Sequence, residues 1–331
     1  MKVLITGGSG YLGSVLAADL ASAGYQVVCL DVSPMPRGWE FWCPASGNVE
    51  FVQGSVCDLS VVSRLVHDAQ AIVHAAFLVG GPACDRHPVE ARELAIHGTE
   101  AVLTAAGRKP VMFVSSDAVY GNSAQGICRE DFPCKPASLY GQLKLECEDM
   151  IRAAGGHGII RLPSHFGLSP SMRSDLLVHW LILQVLAKGE IMLHEPEVTR
   201  TLIHVKDSAA ALRHILEHVE QASGGIFNVG GGAWKKAEIA HLVAEALDGR
   251  VVLPAESTKS DTDKRDFTLD CSRIMSLGWC ARFDLKQGLL SLRDYINATL
   301  TATPRTHSTT VPVTNRRASP WGIRIPASVN D

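Results

Sequence analysis

The sequence predicts an α/β fold: a doubly wound parallel sheet with a smaller, discontinuous C-terminal part. Three observations predict it. Short, nearly continuous apolar runs alternate with helix-spaced stretches through the first half, the pattern of parallel strands covered on both faces. A glycine cluster closes the first run and opens a helix. After Pro163 the alternation gives way to a loop and a different rhythm.

Lys2–Thr6 is the first strand. Leu12, Val15, Leu16 and Leu20 recur behind it at helical spacing, and Gly24 stops that helix. Gln26–Leu30, Val49–Gln53, Ala71–Ala75 and Val111–Ser116 follow as strands, with helices at Pro88–Gly107 and Leu139–Gly155. Gly158–Leu162 is the sixth strand. Gly167–Met172 then reads as a loop and Leu176–Lys188 as an apolar helix, a piece of core or a wall over the site. Thr201–Val205 and Ile226–Val229 read as two further strands around a helix Ser208–Val219, and Glu238–Leu247 as another helix. Residues 1–163 and 201–232 are thus expected to bind a cofactor, and 164–200 with 233–300 to cover the substrate. Residues 301–331 form a tail rich in Thr, Ser and Pro.

Composition excludes several classes. Among 331 residues, 31 Lys and Arg face 34 Asp and Glu, a net charge of −3. Nucleic-acid and anionic-membrane partners call for a basic excess that is missing. The longest apolar stretches, Ala71–Gly80 and Leu176–Ala187, fall short of the ~20 residues of a membrane span. Met1–Gly8 lacks the long apolar region of a targeting segment. Nine cysteines lie between Cys29 and Cys280 with no CxxC pair. They read as reduced thiols of a cytoplasmic protein, and no spacing favours a metal site.

Chemistry concentrates at two places. In Thr6–Gly13, Gly7, Gly10 and Gly13 satisfy GxxGxxG, and Gly8, Gly10 and Gly13 satisfy GxGxxG. Such glycines let backbone approach a pyrophosphate at a helix N-terminus. Asp31 ends the second strand, 18 residues after Gly13. An acid there accepts from ribose hydroxyls and repels a 2′-phosphate, which selects NAD over NADP. The second place joins Tyr140-Gly-Gln-Leu-Lys144 to Ser115 and Ser116 at the end of the Val111–Ser116 strand. Positions i and i+4 share a helix face. An ammonium at Lys144 is expected to lower the Tyr140 phenol toward neutrality, and Ser116 to bond the oxygen that Tyr140 deprotonates.

In this order, TGGxGxxG, the strand Ile72–Ala76, SSxxVYG and YxxxK resemble the extended short-chain dehydrogenase/reductases, and more closely their NAD-dependent epimerase/dehydratase branch. The resemblance runs over roughly Met1–Asn297 and implies a Rossmann-type cofactor domain. It implies NAD held by Gly7, Gly10, Tyr11, Leu12, Gly13, Asp31, Ser55, Val56, Ala75, Ala76, Tyr140, Lys144 and Pro163. It makes Tyr140 the base, Lys144 the holder of the nicotinamide ribose and Ser116 the binder of the substrate oxygen. Ser116, Asp117, Ser164, His165, Arg200 and Arg265 become substrate contacts, Arg200 on the phosphates of a nucleotide sugar. The helices 88–107 and 139–155 match a pair that forms a homodimer bundle. Ser55 stands where the family has Asp, Ala95 and Ser164 where it has Asn, and Ser260–Asp266 replaces its RPGD segment, with Arg265 or Lys264 in the place of its arginine.

The resemblance implies a nucleotide-sugar epimerase with a transient keto intermediate. Two alternatives stand beside it: a dehydrogenase or reductase of a smaller hydroxyl substrate, and a non-catalytic NAD-binding regulatory or scaffold protein. Dehydratases carry Asp-Glu where this chain has Asp117-Ala118, and alanine cannot take a C5 proton. Asp117 reads either as a loop cap or as a substrate contact. His165 reads as a site residue or as structural, His74 as a satisfied core residue and His204 as a backbone partner.

Overall fold

The computed structural model describes residues 1–254 and 264–302. Six strands follow one another in the first half: β1 (Lys2–Thr6), β2 (Gln26–Asp31), β3 (Val49–Gln53), β4 (Ala71–His74), β5 (Val111–Ser116) and β6 (Gly158–Leu162). Among the later strands are β7 (Ser164–Phe166), β8 (Thr199–His204), β9 (Ile226–Asn228) and β10 (Gly232–Lys235). Seven of them make one sheet in the order β9-β6-β5-β4-β1-β2-β3, every neighbour parallel.

Side chains of a strand alternate between faces, and β1 shows the result. Val3 and Ile5 enter one core and Leu4 the other, all fully buried. Helices α1 (Tyr11–Ser22), α2 (Leu59–Asp68), α3 (Pro88–Ala106), α4 (Leu139–Ala154), α5 (Leu177–Lys188) and α6 (Val205–Glu217) supply the covering layers. α1 and α6 pack together over Val3 and Ile5, and α2, α3 and α4 over Leu4. A third core joins α5 to α7 (Lys236–Ala246) and α8 (Leu285–Ala302) through Ile182, Ile239 and Leu292.

Pro163 has no N–H to continue the ladder. The chain leaves the large sheet there and starts a three-stranded sheet, β10-β8-β7. Within the segment 201–232, Ile226–Asn228 therefore extends the large sheet, whereas Thr199–His204 pairs with Ser164–Phe166 and Gly232–Lys235. The helix expected from Ser208 begins at Val205, because the His204 ring nitrogen accepts the Lys206 N–H and caps it. The helix α8 runs through Thr301 and Ala302, which the sequence reading placed in the tail; 303–331 lie outside the described residues.

One buried cluster ties strand, helix and loop together. Arg161 on β6 donates through Nε (2.9 Å) and Nη2 (2.7 Å) to Glu148 on α4. Ser115 on β5 donates to the same carboxylate at 2.5 Å. The guanidinium also reaches the Tyr120 hydroxyl and the Glu130 carbonyl, each at 3.0 Å, and Tyr120 donates to Asn228 at 2.7 Å. Arg161→Met leaves Glu148 buried without its counter-ion, which costs about 3–5 kcal/mol. Urea denaturation checks this, and a loss below about 1 kcal/mol, the worth of an exposed pair, contradicts it.

Candidate active site

The sheet order reverses between β1 and β4. Connections leave these neighbours toward opposite faces, so a crevice opens at their carboxyl ends, where ligands of open α/β sheets bind. The glycine turn lies there. Gly7 has φ +75°, and a Cβ on it would sit 2.7 Å from the Ala76 nitrogen. A Cβ at Gly13 would collide with the Gly7 carbonyl. Gly10 caps α1 without a side-chain bond among the described residues. The first-turn amides at Tyr11, Leu12 and Gly13 have no intrahelical acceptor and remain for an anion. A dinucleotide fits this cradle.

Both oxygens of Asp31 are fixed by backbone, from Ser9 N at 3.1 Å and Ser33 N at 2.9 Å. This sets the carboxylate at the end of β2. Ser55 uses its hydroxyl to accept the Cys57 N–H at 3.1 Å, a turn of its own, and Val56 is buried beside Gly98. Ala75 and Ala76 donate to the carbonyl and hydroxyl of Thr6, which lays their peptide against Gly7. Pro163 is buried at the end of β6. His74 is satisfied on both sides, by Thr6 at 2.8 Å and Thr99 at 3.2 Å, and burial drives its pKa down to about 3.

At the end of β5, Ser116 donates to the Asp117 carboxylate at 3.3 Å and lies near enough to Tyr140 to favour its phenolate. Its oxygen also accepts the Ala118 N–H at 3.2 Å, so Ser116, not Asp117, caps this turn. Asp117 instead takes Arg265 at 2.8 Å, and both are largely buried. Arg265 holds φ +44° to reach it, a strained conformation for a side chain of this size. Burial pushes the Tyr140 phenol up to about 12; Ser116 and the charges of Arg173 and Arg265 oppose that rise.

Lys144 corrects an expectation. The cations that bear on Tyr140 are arginines, whereas the Lys144 ammonium donates to the Val114 carbonyl at 2.6 Å and lies 3.7 Å from the centre of the Phe77 ring. Its side chain is 2% exposed, and burial lowers it to about 7. Tyr140 and Lys144 do share a helix face, with the Lys144 nitrogen 5.8 Å from the Tyr140 ring.

Ser164 and His165 lie on β7, and Arg200 is buried on β8. His165 bonds the Ser208 hydroxyl at 2.9 Å and meets the Tyr11 ring edge-on; burial holds its pKa near 3. Thr199 N bonds Asp266 at 2.7 Å, which brings the Arg200 strand beside the Arg265 segment. Ser260–Asp263 lie outside the described residues. The structure thus assembles Ser116, Asp117, Tyr140, Lys144 and Arg265 at one end, and Asp31 and the glycine turn at the other.

Sequence reasoning placed a loop at Gly167–Met172 but missed what the segment between β7 and α5 holds on to. Ser169 donates to the Tyr11 carbonyl at 2.7 Å, Ser171 to the Ser9 carbonyl at 2.5 Å, and Tyr11 to the Gly167 carbonyl at 2.7 Å. The loop therefore fastens onto the glycine turn. It also carries Arg173, paired with Asp175 through Nε at 3.0 Å and Nη2 at 2.5 Å. The only sequence signal was a charge pair two residues apart in a loop of small residues.

Comparisons agree with this arrangement. The family described as "NAD dependent epimerase/dehydratase family" matches residues 3–230. The chain is 27% identical to a UDP-glucose 4-epimerase of Azospirillum brasilense, over 87% of this chain and 90% of that protein. It is 32% identical to a UDP-glucose 4-epimerase of Streptomyces lividans, over 70% of this chain and 76% of that protein. The solved structure of MoeE5 in complex with UDP-glucuronic acid and NAD superposes with a TM-score of 0.79 at 26% identity, covering 90% of this chain and all of that one.

Two outcomes test the site. Calorimetry is expected to show NAD binding well ahead of NADP, with Asp31→Ala narrowing the gap; equal affinities in the parent protein rule the assignment out. Lys144 titrates near 7 in the folded, ligand-free protein and near 10.4 in an unfolded chain. Between these values the unfolded state binds one more proton, so stability rises with pH through that window. Lys144→Met removes the rise, read as urea midpoints against pH; an unaltered slope in the variant contradicts it.

Proposed function

We propose, since the chain belongs to the NAD dependent epimerase/dehydratase family, that it is a nucleotide-sugar epimerase acting through a transient 4-keto intermediate. The observation that carries the reading is that Ser116, at the carboxyl edge of β5, stands near enough to Tyr140 to bear on its phenol, with alanine at 118. Elimination of water needs a base and an acid beside this pair, and Ala118 offers neither. The 4-epimerase relatives support the same assignment, and MoeE5 was solved with nucleotide sugars.

Bound across Gly7–Gly13, NAD supplies the acceptor and donor of a hydride. The residues of this chain supply the rest. Tyr140 takes the proton of the sugar hydroxyl through its phenolic oxygen and returns it after the sugar has turned over. Ser116 bonds the same substrate oxygen as it becomes a carbonyl. In the ligand-free protein the phenol is protonated, so Tyr140 needs a cation to become a base. Lys144 provides it on this reading by turning from Val114 toward the nicotinamide ribose. Ser116, Asp117, Ser164 and His165 face the sugar; Arg200 and Arg265 face the diphosphate. The proposal keeps 1–163 with 201–232 as the cofactor unit and 164–200 with 233–300 as the substrate cover. It includes a homodimer through α3 and α4, whose outer face carries Val89 and Ile96, and a cytoplasmic location, which nine unpaired thiols suit.

Tyr140→Phe keeps the ring and removes the proton acceptor. Turnover is expected to fall roughly 10²–10⁴-fold while calorimetric NAD affinity is retained. Full activity of that variant on a substrate epimerised by the parent overturns the mechanism. NMR of a nucleotide-sugar panel decides the reaction class. A new C6 methyl signals dehydration, and NADH accumulating in step with product signals a dehydrogenase; either outcome displaces the epimerase reading.

A further inference from the structure

The Asp31 carboxylate accepts the Ser9 N–H on one oxygen and the Ser33 N–H on the other. The Ser9 hydroxyl closes the ring by donating to the Ser33 carbonyl at 3.3 Å. Where Ser9 sits therefore decides where the carboxylate sits. The chain on either side of Ser9 does little to fix it, since Gly8 and Gly10 flank it and glycine leaves the backbone its widest choice. Helix α1 does not fix it either. The first rung of that helix joins Ser14 N to the Gly10 carbonyl at 3.0 Å, so the Ser9 carbonyl lies ahead of the ladder. Ser9 is 6% exposed, and a buried carbonyl needs a partner from elsewhere.

That partner is Ser171, 162 residues further along the chain, whose hydroxyl donates to the Ser9 carbonyl at 2.5 Å. Ser171 is itself held. Its N–H donates to the Ser169 hydroxyl at 3.1 Å, and that hydroxyl donates to the Tyr11 carbonyl at 2.7 Å. Ser14 meets the same Ser169 oxygen at 3.2 Å. Pro170 stands between the two serines and has a fixed φ. Ser169–Ser171 is thus a short brace. One hydroxyl lands on the carbonyl before Gly10 and the other on the carbonyl after it.

We infer that Ser171 is a positioning residue for cofactor selection: through Ser9 it holds Asp31 where a carboxylate receives the ribose hydroxyls, so the loop between β7 and α5 sets the preference for NAD over NADP. The inference rests on Asp31 as the ribose acid and needs neither the sugar nor the epimerase reaction. The two halves of the preference respond differently to a displaced carboxylate. Hydrogen bonds to hydroxyls weaken steeply with angle and distance. The repulsion of a 2′-phosphate falls only as the inverse of distance. Loosening Ser9 therefore weakens NAD more than it admits NADP.

NAD and NADP affinities are measured by calorimetry in the parent, Ser171→Ala, Ser171→Thr, Asp31→Ala and the Asp31→Ala/Ser171→Ala double variant. Ser171→Ala is expected to weaken NAD roughly 3- to 10-fold, the span of one neutral hydrogen bond, and to leave NADP within about twofold of the parent. Ser171→Thr keeps a hydroxyl and restores most of the NAD-to-NADP ratio. In the Asp31→Ala background, Ser171→Ala leaves the ratio unchanged, because the two residues act in series. A parent that binds NAD and NADP alike overturns the Asp31 assignment, and the inference with it. A parent that discriminates, with the same ratio in Ser171→Ala, overturns the inference alone. Equal weakening of both cofactors assigns Ser171 to the diphosphate cradle and likewise overturns it.

Discussion

Burying the Arg161–Glu148 pair is the constraint on which the reacting end depends. Neither side chain is more than 3% exposed, so each charge is tolerable only while the other is in place. The pair joins β6 to α4, and the Ser115 hydroxyl joins β5 to both. Ser116 is the next residue along β5, and Tyr140 and Lys144 lie two turns and one turn before Glu148 on α4. One carboxylate thus sets the distance between the strand that carries the serine and the helix that carries the tyrosine. Apolar packing alone allows a helix to slide on a sheet; a bidentate ion pair does not.

Burial disfavours the charged form of both Tyr140 and Lys144. Tyr140 keeps its proton because it is buried, and Lys144 sits close to losing its own for the same reason. The Phe77 and Phe113 rings partly replace water around the ammonium. Desolvation opposes charge on both groups, so charge develops only when a ligand brings compensating charge and hydrogen bonds. The two arginines near Tyr140 differ in this respect. Each is matched by a carboxylate, Asp117 or Asp175, and stays ionised throughout.

Much of this was legible in the sequence. The six first-half strands, the glycine turn and the i, i+4 pair on α4 appear as periodicity and local motifs, and those properties survive folding because burial on both sheet faces enforces them. The path after Pro163 was less legible. Three- to six-residue strands carry too few alternations to show which sheet they join, and β8 was grouped with the large sheet's segment although it pairs elsewhere. His204 is the backbone partner the sequence suggested, through the Lys206 N–H, but its place as a helix cap was hidden because histidine is uncommon there. The resting place of the Lys144 ammonium was hidden for a different reason. Sequence spacing places two residues on one face but does not say where a long side chain ends, and Val114 and Phe77 hold the ammonium elsewhere. Arg173 carries no motif at all. Its position is set by Gly80 and by the serines that fasten its loop to the glycine turn, residues roughly a hundred positions away or more.

The serine bonds from the β7–α5 loop to Ser9 and Tyr11 make two ligand sites share one mechanical element. The loop cannot shift without loosening the turn that receives the dinucleotide, and the turn cannot rearrange without releasing the loop. Whatever order one occupant imposes is therefore already in place for the other. The free energy so shared is the same in whichever sequence the two arrive. An arrangement of this kind makes whatever disturbs the loop felt at the glycine turn without any motion of domains.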